Sequence, residues 1–223
     1  MKISGAIFDM DGTLIDSLGF WDVLWRELGK RYKNDESFVP DKQVEKDVRT
    51  LPLADAMELL HSRHDLGNDG AELLAFTNEM LISFYRDQVE IKPGAYEFIS
   101  ALKQRGIKVC IASATAKDML GIVVKKFGFD KLVCGVFSCA DIGRGKEFPD
   151  IFIEAHNSIG TPMESTWVFD DSAVAVETAR NAGFNTVGVY DKYSPMQERV
   201  KAASVIYMDE SKSFIDLMDS IEV

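Results

Sequence analysis

The sequence predicts an α/β fold: a doubly wound parallel sheet with an all-helical domain inserted after its first strand. Three observations lead there. Short apolar runs recur along the chain without polar alternation, as strands covered on both faces require. Segments of helical period lie between them. From about residue 16 to 88, helical patterns follow one another with no strand between them.

Taken in order, the strands are expected at 4–9 (SGAIFD), 107–112 (IKVCIA), 132–137 (LVCGVF), 166–170 (TWVFD), 185–190 (NTVGVY) and 204–207 (SVIY). Ala95, Phe98, Ile99 and Leu102 share one helical face, with Pro93 before them and Gly106 behind as start and stop signals. Leu120, Val123, Val124 and Phe127 repeat that spacing up to Gly128. Further helices are expected over 150–159, 172–182 and 195–203. The insertion includes WDVLWRELGKRY, LADAMELLHSRH and AELLAFTNEMLISFYRDQ. The expected division is a core of residues 1–15 and 90–223, Rossmann-like in its alternation, and a helical cap of 16–89. Connections near 14–19 and 87–93 suit a lid that opens and closes over bound substrate.

Composition excludes several classes of partner. A formal net charge of -11 argues against nucleic acid and anionic membranes, which demand a basic surface. An anionic ligand then needs a local positive pocket. Cys110, Cys134 and Cys139 are odd in number and read as reduced core or near-core thiols of a cytoplasmic protein. Asp9 interrupts the apolar stretch after Lys2, so no signal peptide is expected, and no run reaches the roughly 20 apolar residues of a membrane span.

Chemistry is concentrated where the apolar runs end. The first ends in Asp9-Met10-Asp11-Gly12-Thr13 and the next in Ala112-Ser113-Ala114-Thr115. A later loop carries Gly143-Arg144-Gly145-Lys146, and another strand ends in Phe169-Asp170-Asp171-Ser172. Each has a plain alternative, since acids and serines after a strand often cap helices and a loop lysine is often solvated. Their joint occurrence beyond the strands of one sheet is harder to dismiss, because that is where doubly wound folds bind ligands. Like charges about 4 Å apart repel by roughly 4 kcal/mol at an effective dielectric near 20, so the acids need a compensating partner.

Together these segments resemble the haloacid dehalogenase superfamily of phosphohydrolases over nearly the whole chain. DMDGT at 9–13 is the specific element; Ser113, Lys146 before Pro149-Asp150, and the pair Asp170-Asp171 complete it. The helical insertion resembles the subgroup containing β-phosphoglucomutase and small sugar-phosphate phosphatases. The resemblance implies Asp9 as nucleophile, ionised at an ordinary carboxylate pKa, and Asp11 as general acid and base. It implies Mg²⁺ held by Asp9, the Asp11 carbonyl and Asp171, with Asp170 acting through water. Gly12 lets the backbone turn near the phosphate, while Ser113, the Ala114 N–H at a helix start and Lys146 bind the phosphoryl group. The substrate is then a small phosphorylated metabolite, and the chain is compatible with a monomer.

Within the superfamily, an acid at position 11 favours P–O chemistry over dehalogenation or phosphonate cleavage. Where β-phosphoglucomutases place a cap histidine, this chain has Trp21. Where they place a Ser-rich substrate loop, it has DVRTLPLADA, keeping only Arg49 as a phosphate or sugar contact. Hydrolysis is therefore preferred to a mutase reaction. Trp21 and Trp25 read as cap core, with Trp21 also a candidate substrate contact. His61 and His64 read as solvated, His156 as structural and Arg144 as a surface charge. Receiver domains of response regulators also combine aspartates, Lys and Mg²⁺, but the order of motifs and the helical insertion exclude them.

Overall fold

The computed structural model describes residues 2–49, 51–194 and 196–220. Six parallel strands form the main sheet: β1 (Gly5–Phe8), β4 (Lys108–Ser113), β5 (Gly135–Ser138), β6 (Thr166–Asp170), β7 (Asn185–Val189) and β8 (Ile206–Met208). Their order is β5-β4-β1-β6-β7-β8. From β1 the chain builds outward to β5 and then returns to β6 on the other side. The topological switch point therefore lies beside β1, and ligands of such sheets bind beyond the strand ends there.

Ala6, Ile7 and Phe8 of β1 are fully buried. Ile7 packs with Phe152, Ala155, Ala175 and Ala179 on one face. The next residue, Phe8, faces the other side, where its ring stacks on Phe169 at 4.2 Å and meets Phe98 and Phe214. Adjacent residues thus serve opposite helical layers, which is why the strand reads as one apolar run.

The helices of this unit are α5 (Ala95–Gln104), α6 (Lys117–Lys126), α7 (Cys139–Ile142), α8 (Asp150–Ile159), α9 (Ala173–Asn181), α10 (Gln197–Ala203) and α11 (Phe214–Met218). Two expected strands start later than their apolar runs. Leu132 and Val133 still donate backbone bonds to Phe129 in a 3₁₀ turn, so β5 opens at Gly135. Ser204 still donates to Val200 at the end of α10, so β8 opens at Ile206. Pro195, at the head of the expected 195–203 helix, lies outside the described residues.

The chain divides into two compact units, Met1–Leu18 with Val89–Val223, and Gly19–Gln88. The second contains α1 (Phe20–Lys33), α2 (Lys42–Val48), α3 (Leu53–His64) and α4 (Gly70–Ser83), followed by a π-helical turn over Phe84–Gln88. The sequence reading passed over α2, a short helix that Asp41 caps by accepting from the N–H groups of Gln43 and Val44. It also passed over β2 (Ile15–Asp16) and β3 (Glu90–Ile91), which pair antiparallel in the first unit. Two residues are too few to show a period. Among the described residues, no helix is long and apolar enough to cross a membrane.

Two readings of lone side chains need correction. His61 and His64 are half-buried rather than solvated: Nδ1 of His61 bonds the Leu66 carbonyl at 2.8 Å, and His64 packs edge-on against Phe38. Cys134 is exposed, whereas Cys110 and Cys139 are buried. His156 bonds the Thr161 carbonyl, and Arg144 pairs with Asp150 at the surface.

Candidate active site

Register brings the acids together. Phe8 lies opposite Phe169, so the residues that follow, Asp9 and Asp170, emerge side by side. Asp9 continues the ladder by donating its N–H to the Phe169 carbonyl at 2.9 Å. Carboxylate oxygens of Asp9, Asp170 and Asp171 all lie within 4.8 Å of one another, and all three residues are buried. Lys146 enters from the loop between α7 and α8. It donates to Asp9 Oδ1 and, at 2.7 Å, to Asp170 Oδ2.

Gly12 closes the tight turn after β1 with φ of +80°, and a Cβ there would fall 2.7 Å from the Asp171 carboxylate. Only glycine allows that approach. Thr13 then donates to Asp171 Oδ1 at 3.1 Å. The second oxygen of Asp170 accepts from the Ser172 N–H at 2.9 Å, so Asp170 is engaged on both sides.

Burial shapes the charges. It raises the Asp9 carboxyl to about 7; Lys146 opposes this, while Asp170 and Asp11 add to it. The expectation of an ordinary carboxylate at position 9 is therefore corrected by desolvation. Asp171 is pushed well above the carboxylate range, first by burial and then by Asp9, Asp170 and Asp191; Lys92 opposes the shift. Burial disfavours the charge on Lys146, but Asp170 and Asp9 outweigh it and raise the lysine pKa. Once ionised, three acids against one lysine leave a buried negative surplus; burial first, and then this crowding, raise the pKa values of Asp9 and Asp171. A hard divalent cation with oxygen ligands fits that donor set.

The pH dependence of stability follows. A carboxyl whose pKa rises on folding opposes folding once it is ionised. For Asp9 this contribution is absent below its ordinary value of 3.8 and grows until pH passes about 7. EDTA-treated protein should therefore lose stability from this group as pH climbs through that window. A divalent ion should restore more stability at about pH 8 than at about pH 5, the gain amounting to a few kcal/mol at most. Thermal denaturation with and without Mg²⁺ at the two pH values checks this; equal gains would contradict it.

The remaining expected residues divide by unit. Ser113 ends β4 and is buried; its Oγ accepts from the Thr115 N–H at 3.1 Å. Ala114 is exposed in the bend after β4, not at a helix start, because α6 begins only at Lys117. Asp11 accepts from Ser17 Oγ at 2.8 Å and from Thr115 Oγ1 at 2.7 Å. Trp21 and Arg49 belong to the other unit. The Arg49 guanidinium lies 5.7 Å from the Trp21 ring centre and bonds Glu45 at 2.9 Å, while Trp21 packs on the buried Trp25.

Four residues around the acids were missed in the sequence: Thr13, Ser17, Thr115 and the pair partner Lys92. Lys92 donates to Asp191 Oδ2 at 2.9 Å and to the Tyr190 carbonyl at the same distance. Thr13 and Thr115 stood inside quoted motifs, which was their only signal.

A doubly wound sheet whose switch-point crevice is lined by aspartates, one lysine and one serine defines an α/β enzyme built on carboxylate chemistry. The family model described as haloacid dehalogenase-like hydrolase matches residues 3–183, and the chain belongs to that family. It is similar to the "Probable pseudouridine-5'-phosphatase" of Drosophila melanogaster, 26% identical over 212 residues, covering 92% of this chain and 89% of the relative. The β-phosphoglucomutase of Mycobacterium tuberculosis is 24% identical over 212 residues, covering 83% and 80%. Among solved structures, CbbY from Rhodobacter sphaeroides in complex with phosphate matches with a TM-score of 0.79 at 18% identity, covering 97% of this chain and 96% of the other. That likeness shows the fold.

Proposed function

We propose that the chain is a Mg²⁺-dependent phosphomonoesterase that hydrolyses a small phosphorylated metabolite, a sugar phosphate, through a phosphorylated Asp9. The observation that carries this reading is the buried contact of Lys146 with both Asp9 and Asp170 at the switch point. A phosphate dianion resists an anionic nucleophile, so attack by a carboxylate needs fixed positive charge beside it. Lys146 supplies that charge from the chain itself. Asp9, Asp171 and the Asp11 carbonyl would hold the metal, with Asp170 acting through water. When bound, the metal neutralises negative charge on the carboxylates and the transferring group.

Asp9 attacks phosphorus as the bond to the leaving oxygen breaks, and Asp11 hands that oxygen a proton. Asp11 then takes a proton from water, whose oxygen attacks phosphorus and releases Asp9. Such positioned proton transfer contributes roughly 10²–10⁴ in rate. Ser113 and the Ala114 N–H donate to phosphoryl oxygens. The helical unit Gly19–Gln88 serves in this reading as the lid that selects the leaving group, with Trp21 and Arg49 as its candidate substrate contacts. The relatives named probable pseudouridine-5'-phosphatase and β-phosphoglucomutase support a small phosphorylated metabolite as the substrate class.

A panel of phosphorylated metabolites assayed with Mg²⁺ tests the proposal. Phosphate release should be fastest from sugar phosphates, and Trp21→Ala should reorder the preferred substrates. Interconversion of glucose 1-phosphate and glucose 6-phosphate faster than phosphate release would replace the hydrolase by a mutase. Release from no member of the panel would overturn the reading.

A further inference from the structure

Asp11 has a hydroxyl on each carboxylate oxygen. Ser17, on the same segment, donates to Oδ1 at 2.8 Å. Thr115, from the bend after β4, donates to Oδ2 at 2.7 Å. Thr115 has two further ties. Its N–H donates to Ser113 Oγ at 3.1 Å, and its carbonyl accepts from Ser138 Oγ at 2.8 Å. Ser138 ends β5, next to β4 in the sheet, with Ser113 its register partner. One half-buried residue thus connects the acid on the β1 turn, the serine on β4 and the edge strand β5.

We propose that Thr115 is the positioning residue for Asp11: its hydroxyl fixes where the carboxyl points during proton transfer. The inference rests on the acid/base reading of Asp11. Thr115 itself touches no reacting atom in this account. In the first half-reaction the Asp9–P bond forms, the P–O bond to the leaving group breaks, and the Asp11 proton goes to the leaving oxygen. In the second, the water oxygen bonds to phosphorus, the Asp9–P bond breaks, and the water proton goes to Asp11. Each carboxylate oxygen has two lone pairs, so Asp11 can pass a proton while the Thr115 hydroxyl stays in place. Proton transfer demands that placement, because a group displaced by about 1 Å loses much of its catalytic effect.

The division of labour inside Thr115 makes the test clean. Its backbone serves Ser113 and Ser138, whereas its hydroxyl serves Asp11. Thr115→Val keeps shape and backbone and removes only the hydroxyl. With an alkyl phosphate, whose leaving oxygen needs a proton, kcat/KM should fall about tenfold or more, as expected for a lost hydrogen bond to a charged group. With p-nitrophenyl phosphate, whose phenolate leaves unaided, kcat/KM should fall far less. Thr115→Ser should restore the alkyl phosphate rate, and in an Asp11→Ala background Thr115→Val should cost nothing more. Equal losses on the two substrates in a folded Thr115→Val protein, or failure of Ser to restore, would overturn the proposal while leaving Asp11 in its role. If Asp11→Ala itself affects both substrates alike, the acid/base reading falls and takes the proposal with it.

Discussion

Replacing Asp9 by Asn should all but abolish the proposed phosphomonoester turnover while the protein stays folded: kcat is expected to fall by roughly 10⁴–10⁶, the range seen when a nucleophile is removed from a working site. Asn has the shape of Asp but no anionic oxygen to attack phosphorus. Folding should survive, because ionised Asp9 is costly where it sits: burial first, then Asp170 and Asp11, push its pKa upward against the pull of Lys146. Metal-free Asp9→Asn protein should even match or exceed the parent in thermal stability near pH 8, since a buried charge has been removed. Steady-state kinetics with the best substrate of the panel, together with thermal denaturation, checks both halves. Activity within about tenfold of the parent would remove Asp9 from its role.

The second large effect is expected at Lys146. Its ammonium is nearly enclosed, with a side-chain exposure of 10%, and it bridges two carboxylates. Lys146→Met leaves Asp9, Asp170 and Asp171 facing one another without a compensating cation. Breaking a buried pair by removing one partner costs about 3–5 kcal/mol, because the remaining charge stays buried. The loss should be larger at neutral pH than at acid pH, where the buried carboxyls take up protons and the surplus falls. Turnover should drop by roughly 10²–10³, the effect of losing one preorganised donor to a developing charge. Urea titrations at neutral and acid pH, with kcat measured in parallel, decide the matter. An unchanged midpoint at neutral pH would mean that the lysine does not balance the cluster.

Much of this arrangement was legible in the sequence, for physical reasons that differ by residue. The six sheet strands stood out because β1, β4 and β6 are covered on both faces, and two-sided burial leaves no polar residue to break the run. Asp9, Ser113 and Asp170-Asp171 stood out because a charged or hydroxyl group straight after such a run breaks the pattern at a ligand-binding end. Lys146 carried no local signal; only its place in the set of motifs marked it. The ribbon of Ile15–Asp16 with Glu90–Ile91 stayed hidden, since its partners lie far apart in sequence and each strand is two residues long. Thr115 stayed hidden for a related reason. Its hydroxyl meets a carboxylate 104 positions away, and no periodicity encodes a single cross-strand hydrogen bond. Ala114 was misplaced because the chain bends for three residues before α6 begins at Lys117, a delay that Ser-Ala-Thr-Ala does not announce.

The pKa of Asp9 was misjudged because reference values describe solvated carboxyls. Its neighbours in space, not in sequence, set the shift. The same crowding makes the cluster suited to a divalent ion.

The whole reading turns on one covalent bond, between phosphorus and an oxygen of Asp9. Acid-quenching the enzyme during steady turnover, then reducing with borohydride and mapping peptides by mass, detects an aspartyl phosphate as homoserine. Homoserine at position 9, absent from unreacted protein and from Asp9→Asn, is the predicted result. Undiminished turnover with Asp9 always recovered unmodified, and with inversion rather than retention of configuration at phosphorus, would contradict it.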